Sequence, residues 1–86
     1  MEKILYTTTA VNEDGLTGVA YTKGNGDKDF SVQISSPRST DAGTNPEQLF
    51  GLAYATCLNA SIGFVEQRKK LEHNSKVEVK IDLTFN

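Results

Sequence analysis

The chain has 86 residues, a formal net charge of −2, 37% hydrophobic residues and 23% charged residues. This length allows one domain, and the composition is that of a globular protein rather than a disordered one. The slightly acidic balance offers no positive surface for nucleic acid or an anionic membrane as a partner. A domain of this size buries only about 60–65% of its unfolded surface, so a core built by this chain alone is predicted to be marginal.

Cysteine content and the N-terminal sequence indicate a compartment. Cys57 is the single cysteine, so no disulfide can form within the chain. Small secreted domains are usually stabilised by disulfides. The opening MEKILYTTTA has no apolar stretch or small-residue cleavage site typical of a signal peptide. These features predict a soluble, cytoplasmic protein.

Strands are predicted first along the chain, because β-branched and aromatic residues dominate its N-terminal part. The predicted strands are residues 3–11, 16–22 and 30–34. Asn-Glu-Asp-Gly at 12–15 predicts a turn, and the Gly- and Asn-containing segment 23–28 predicts a hairpin connection. Residues 36–44 show no periodicity and are predicted to form a loop.

A helix is predicted to begin sharply after this loop. Asn45 can cap it, Pro46 suits its first position, and Gln48 stands where a capping box places a polar side chain. Glu47 lies in the first turn, where the helix dipole favours a negative charge. The helical pattern extends to about Leu71.

Two later features predict that this chain needs further protein around it. Residues 49–65 contain no charge, and a helix that is apolar all round requires cover on every side. We interpret this run as a buried soluble helix, since its 17 residues are interrupted by glycines and polar residues and fall short of a membrane span. Residues 76–85 alternate between apolar and polar side chains up to the end of the chain and predict a further strand. A partner subunit or additional chain would supply the cover.

The segment GTNPEQLFGLAYATC at residues 43–57, together with the opening EKILYTTTAV, resembles the OsmC/Ohr family (osmotically inducible protein C and organic hydroperoxide resistance proteins). The likeness extends over nearly the whole chain but over only the N-terminal portion of a usual family member. It implies an α+β, OsmC-like fold: N-terminal antiparallel strands, a long buried central helix, then a further strand, in an intertwined homodimer. Residues 1–86 are therefore predicted to be a single OsmC/Ohr-like domain that lacks the family's C-terminal half.

The resemblance also implies an activity and its residues. It implies a thiol-dependent peroxidase that reduces organic hydroperoxides in oxidative stress defence, with an apolar pocket and a dithiol reductant. Cys57 would be the nucleophile that attacks the O–O bond, and Glu47 would be the acidic residue of the site. No metal and no bound cofactor are implied.

Two departures from the family pattern bear on that activity. The family carries an arginine in a Gly-Arg-x-Gly turn after the first strand, whereas this turn reads Gly-Leu-Thr-Gly at 15–18, with Leu16 at the arginine position. The family also carries a second, resolving cysteine, and this chain has one cysteine. An apolar helix disfavours an ionised thiolate unless a cation lies nearby. Arg38 and Arg68 are the two arginines of the chain, and Arg38 precedes the helix more closely.

The residues also have interpretations that require no catalysis. Cys57 could be a small buried hydrophobic residue, Glu47 a helix-dipole carboxylate, and His73 a solvated side chain near a helix end. The alternatives to an active peroxidase are a truncated or degenerate relative that serves as a dimeric scaffold or binds an apolar small molecule. A single-cysteine peroxidase regenerated by an external thiol lies between these.

The spacing of the two candidate site residues sets a geometric condition. Glu47 and Cys57 are ten residues apart, which on a straight helix is about 15 Å of rise and 80° short of three full turns. A shared site therefore requires a break in the helix, for which Gly51 is the best position, or a composite site in which Glu47 of one chain meets Cys57 of another. We expect the break at Gly51 combined with a composite pocket, in preference to a straight helix with Glu47 as a cap residue.

Overall fold

The computed structural model describes residues 3–85. The chain divides into two compact units, Met1–Asn45 and Pro46–Asn86, and each is described by itself. The N-terminal unit holds a three-stranded sheet, and the C-terminal unit holds one long helix followed by a segment without assigned secondary structure. This α+β organisation agrees with the predicted fold class.

The sheet is antiparallel, with its strands in sequence order. Strand β1 spans Thr9–Val11, β2 spans Val19–Lys23 and β3 spans Ser31–Gln33. In the register of β1 and β2, Thr9 lies opposite Lys23. The Asn12 side chain closes the predicted turn between these strands, because its Oδ1 accepts a hydrogen bond from the Gly15 N–H at 2.7 Å.

The first strand is shorter than predicted, and the second begins later. β2 ends at Lys23, so no strand residue stands opposite the positions before Thr9. The Thr7 carbonyl instead accepts a hydrogen bond from Asn25 Nδ2 at 2.9 Å, which ties this segment to the β2–β3 connection. That connection contains a short 3₁₀ helix, Gly26–Lys28, where a simple hairpin turn was predicted.

The end of the third strand leads into the tightest packing of the N-terminal unit. Ile34 and Ser35 are buried, with 4% and 7% of their surface exposed, and Ile34 forms a parallel bridge with Thr44. Gly43 makes this approach possible. Its φ is +139°, and a Cβ built on it would lie 2.9 Å from the Gln33 carbonyl oxygen. A side chain at this position would therefore disrupt the bridge.

Helix α1 spans Pro46–Arg68 without interruption. It begins at the predicted residue and ends about three residues before the predicted Leu71. The end is a Schellman motif, in which Leu71 N–H donates to Glu66 O at 2.8 Å and Lys70 N–H donates to Gln67 O at 3.0 Å. Lys70 adopts the left-handed conformation, with φ of 61°, that this motif requires.

Within residues 3–85 the chain does not bury helix α1, for which the sequence analysis expected cover from a partner subunit or additional chain. None of the residues of α1 is buried, and Phe50, Leu52 and Phe64 each expose more than 60% of their surface. By length and composition alone, the helix is also apolar enough to cross a membrane, contrary to our sequence-based exclusion. Core helices of soluble proteins meet the same criterion, so this is weak evidence for a membrane span.

The predicted last strand also differs from the structure. Residues 76–85 are assigned no strand, although Val77, Val79 and Ile81 are half-buried and the residues between them are exposed. Alternation of this kind is the pattern of extended chain with one covered face. A strand assignment requires a hydrogen-bonded neighbour, and within the described residues this segment has none.

Candidate functional site

Helix α1 presents two different faces. Gly51, Ala55 and Asn59 follow one another at four-residue spacing and are half-buried, and the first two line a cleft together with Val77. Cys57 is two residues from both Ala55 and Asn59, which places it about 200° round the helix from this row. The thiol therefore lies on the opposite face from the one that residues 75–81 cover.

The face that carries Cys57 is exposed and rich in aromatic residues. Cys57 is a free, exposed cysteine. Phe50 and Tyr54, about two turns and one turn before it, stack with their ring centroids 6.1 Å apart, and Phe64 follows on the same side. The Ser61 hydroxyl donates to the Cys57 carbonyl at 3.1 Å, an ordinary helix back-bond that leaves the sulfur unengaged. Within the described residues, Cys57 is thus not buried, contrary to the alternative interpretation that made it a small buried hydrophobic residue.

Glu47 lies instead at the end of the covered face. It lines an open cleft of about 590 Å³, whose other walls include Leu52, Val79 and Ile81. Among the described residues, Oε2 of Glu47 is buried without a hydrogen-bond partner. A carboxylate oxygen in such a position requires a partner group, since burial of an unpaired charge is costly. The cleft is the place from which such a group could reach it.

The helix does not bring the two candidate residues together. The expected break at Gly51 is wrong, because α1 continues through this glycine. Gly51 serves packing instead: a Cβ at this position would lie 3.1 Å from Ile81 Cδ1. On an unbroken helix, ten residues separate Glu47 from Cys57 by about 15 Å along the axis. Within one chain, they cannot share one hydrogen-bond network.

The helix C-terminal half holds a polar cluster that the sequence analysis missed. Glu66 accepts hydrogen bonds from the Asn74 N–H at 3.2 Å and the Ser75 hydroxyl at 3.4 Å, and it lies 2.9 Å from His73 Nδ1. Ser75 also bonds to Asn59 on the helix. The His73 side chain is exposed, as expected, and it is also a partner of Glu66. The cluster turns the chain back along the helix and positions residues 75–81.

The remaining expected features lie in the N-terminal unit. Leu16, at the position of the expected arginine, exposes 48% of its surface. Arg38 lies in an exposed loop, and its N–H donates to Ser36 Oγ at 3.2 Å. Across residues 3–85, no group of three or more His, Cys, Asp or Glu side chains is arranged to hold a metal ion.

Comparison with known proteins identifies relatives of this chain. No family model matches the chain. An organic hydroperoxide resistance protein-like protein of Staphylococcus aureus (strain MSSA476) is 38% identical over 69 residues, which are 79% of this chain and 47% of that protein. The organic hydroperoxide resistance protein of Xanthomonas axonopodis pv. citri is 35% identical over 82 residues, or 91% of this chain and 56% of the relative.

A comparison with solved structures gives a result consistent with these two sequence relatives. The crystal structure of a candidate redox protein of Lactobacillus casei ATCC 334 matches with a TM-score of 0.86 and 44% identity, over 98% of this chain and 57% of that one. The fold is therefore OsmC-like, and the chain is related to the OsmC/Ohr proteins. It spans about half the length of the curated relatives that it matches.

Proposed function

We propose that this protein is a thiol-dependent peroxidase that reduces organic hydroperoxides, with Cys57 as its nucleophile. The observation that carries the proposal is the exposed Cys57 on an aromatic helix face, in a chain whose relatives are named organic hydroperoxide resistance proteins. Exposed Phe50, Tyr54 and Phe64 favour a substrate with an apolar group over hydrogen peroxide. The proposed setting is oxidative stress defence in the cytoplasm.

The first step is displacement at oxygen. The Cys57 thiolate attacks the terminal oxygen of R–O–O–H, so that an S–O bond forms, the O–O bond breaks and the alkoxide leaves as the alcohol once it is protonated. Cys57 becomes a sulfenic acid. In the proposed cycle, a dithiol reductant returns Cys57 to the thiol. Its first thiol forms a mixed disulfide and releases water, and its second thiol then displaces Cys57.

In the proposed site, Glu47 is contributed by a second copy of the chain. A composite site, with Glu47 of one copy beside Cys57 of another, removes the separation of about 15 Å that a single helix imposes. The buried, unpartnered Oε2 of Glu47 supports a role for this carboxylate in holding a cationic group. Arg38 and Arg68 are the two arginines of the chain from which that group could come.

The test is consumption of cumene hydroperoxide with dithiothreitol as the reductant. We expect turnover above background, a preference for cumene hydroperoxide over hydrogen peroxide, and loss of at least about 100-fold in Cys57→Ser, since the sulfur forms the covalent intermediate. Ser61→Ala is the matched control on the same helix face and should retain activity. Intact mass should show one added oxygen on wild type after peroxide without reductant. Turnover equal in wild type and Cys57→Ser would contradict the proposal.

A second candidate function is the binding of an apolar small molecule without catalysis. The cleft beside Glu47 favours it, because about 590 Å³ lies within the range of ligand sites and its walls are mainly aliphatic. Substitution of Leu16 for the expected arginine agrees with a relative that has lost the reaction. A wild-type protein that binds a fluorescent apolar probe but consumes no hydroperoxide would support this alternative.

A further inference from the structure

The connection between β2 and β3 contains a chemically labile pair of residues, Asn25 and Gly26. Asn25 is the one asparagine of the chain that a glycine follows. In such a pair the backbone nitrogen of the glycine can attack the asparagine side chain, because a residue without a Cβ leaves that nitrogen unhindered. Asparagine is accordingly among the thermolabile residues of proteins. The sequence offers a site of self-modification here, and the local structure sets how fast the reaction can proceed.

The reaction at such a site is deamidation through a cyclic imide. The Gly26 amide nitrogen loses its proton and attacks Cγ of Asn25, so that a new C–N bond forms and Nδ2 leaves as ammonia. Water then opens the succinimide ring at either carbonyl carbon and gives aspartate or isoaspartate. The net change replaces a carboxamide by a carboxylate, with water as the co-reactant and no transfer of electrons. The product therefore carries one more negative charge than the original chain.

The structure holds both reacting groups of Asn25-Gly26 away from this reaction. Asn25 Nδ2 donates to the Thr7 carbonyl at 2.9 Å, and its Oδ1 accepts from the Thr8 hydroxyl at 2.5 Å. The backbone ψ of Asn25 is 11°, so the Gly26 nitrogen nearly eclipses the Asn25 nitrogen and lies away from the side chain. The Asn25 N–H is in turn fixed by Asp29 Oδ2 at 2.9 Å. Ring closure therefore requires rotation of this backbone and release of the carboxamide from residues 7 and 8.

The same two hydrogen bonds attach the segment before β1 to the sheet. Within residues 3–85, the hydrogen bonds between segment 3–8 and the rest of the fold are made to Asn25. Ile4, Leu5 and Tyr6 each expose at least 69% of their surface, so apolar packing holds this segment only weakly. The attachment of segment 3–8 thus depends on the carboxamide of one side chain.

We propose that Asn25-Gly26 is a deamidation site that the attached residues 7 and 8 restrain, and that its reaction detaches segment 3–8. In the aspartate product an acceptor oxygen replaces the Nδ2 donor and faces the Thr7 carbonyl oxygen, and two acceptors without a proton between them repel each other. The new charge also joins Asp27 and Asp29 in the same short connection. Isoaspartate lengthens the backbone of the connection as well. Both products therefore disfavour the attached state.

The first experiment measures the rate of deamidation in the full chain at mildly alkaline pH by peptide mass spectrometry. We expect a gain of about one mass unit in the peptide that contains Asn25. Thr8→Val should speed the gain by about fivefold, because it removes one of the two hydrogen bonds to the carboxamide. Unfolding in urea should speed it by about tenfold or more. Thr7→Val is the matched control: it keeps the backbone carbonyl that Asn25 uses and should leave the rate within about twofold of wild type.

The second experiment tests the detachment. Asn25→Asp reproduces one product, and chymotrypsin should cleave it after Tyr6 about tenfold or more faster than wild type. Asn12→Asp is the control, because Asn12 Nδ2 also donates to a loop carbonyl, that of Gly15 at 3.0 Å, but does not contact segment 3–8. Circular dichroism checks that the variants fold, and deamidated wild type separated by ion exchange takes the place of an Asn25→Asp variant that does not.

Three results would each overturn the proposal. They are no mass gain at Asn25 even in urea, equal rates of deamidation in wild type and Thr8→Val, and cleavage after Tyr6 at the wild-type rate in the deamidated protein. None of these outcomes depends on the chemistry of Cys57.

Discussion

At the residue scale, the two candidate site residues differ in their surroundings. Cys57 and Glu47 both lie on helix α1, but the thiol is exposed on the aromatic face while Glu47 lines the cleft on the covered face. Their separation follows from the helix repeat, so it would be kept in any variant that leaves the helix continuous. The thiol is therefore available to a substrate or a partner, and the carboxylate is available only through the cleft.

Gly43 is the residue whose replacement should cost most stability in the N-terminal unit. We expect Gly43→Ala to lower the free energy of unfolding by about 2 kcal/mol or more, because left-handed strain adds to a contact of a new Cβ with a backbone oxygen. The Cβ would lie 2.9 Å from the Gln33 carbonyl oxygen, at a φ of +139°. Urea denaturation followed by circular dichroism measures the change.

Gly15→Ala is the control for this prediction. Gly15 also has positive φ, at +71°, but a Cβ there would meet nothing within 4 Å. Its cost should be only the left-handed penalty of about 1–2 kcal/mol. If both variants lost the same stability, steric contact at Gly43 would have no role in closing the bridge between Ile34 and Thr44.

At the scale of elements, the helix and the segment after it form one arrangement. Asn59 and Glu66 hold the returning chain at Ser75 and Asn74, and the three half-buried aliphatic residues then follow along the helix. Gly51 leaves room for Ile81 at the far end of this row. A glycine that looked like a helix break is thus a packing position, since a helix tolerates glycine at a modest cost in propensity.

Removing the Glu66 carboxylate should release this turn. We expect Glu66→Ala to speed amide hydrogen exchange across residues 73–77 by about tenfold or more, because one carboxylate accepts from both Asn74 N–H and Ser75 Oγ and pairs with His73. Exchange measured by mass spectrometry on peptides from this segment tests it. Glu72→Ala, six residues further on, is the control and should leave exchange unchanged. Equal exchange in wild type and Glu66→Ala would show that the aliphatic contacts alone hold the segment.

At the scale of the whole molecule, the described residues bury very little of their hydrophobic side-chain surface. Within residues 3–85, Ile34 is the one buried hydrophobic residue, while sixteen large hydrophobic residues are exposed. Apolar surface on this scale is typical of protein–protein or membrane interaction sites and of ligand-binding grooves. The predicted need for cover around the helix agrees with this exposure.

Stability should therefore depend on protein concentration. If the folded state is an assembly of copies, a tenfold higher concentration raises its stability by mass action, and the midpoint of thermal unfolding should rise by several degrees. Differential scanning fluorimetry at two concentrations checks this. A sharp transition at the same temperature at both concentrations would indicate a folded monomer.

The sequence by itself determined the local features of this protein. Asn45-Pro46 predicted the helix start, the uncharged run predicted an apolar helix, and the 43–57 segment indicated the OsmC/Ohr relationship. These depend on neighbouring residues in the chain, where backbone propensity and side-chain pattern act directly. The alternation at 76–85 likewise predicted the half-buried positions Val77, Val79 and Ile81, but Leu83 and Phe85, on the same predicted face, are exposed.

Tertiary structure alone decided what depends on residues distant in sequence. The first strand is short because β2 ends opposite Thr9, and 76–85 is not an assigned strand because no hydrogen-bonded neighbour is present within the described residues. Gly51 is a packing position because the Ile81 side chain lies beside it, and Glu66 is a structural anchor because residues 73–75 return to it. Strand length, a glycine's role and a carboxylate's partners are set by contacts across the fold, which no local pattern specifies.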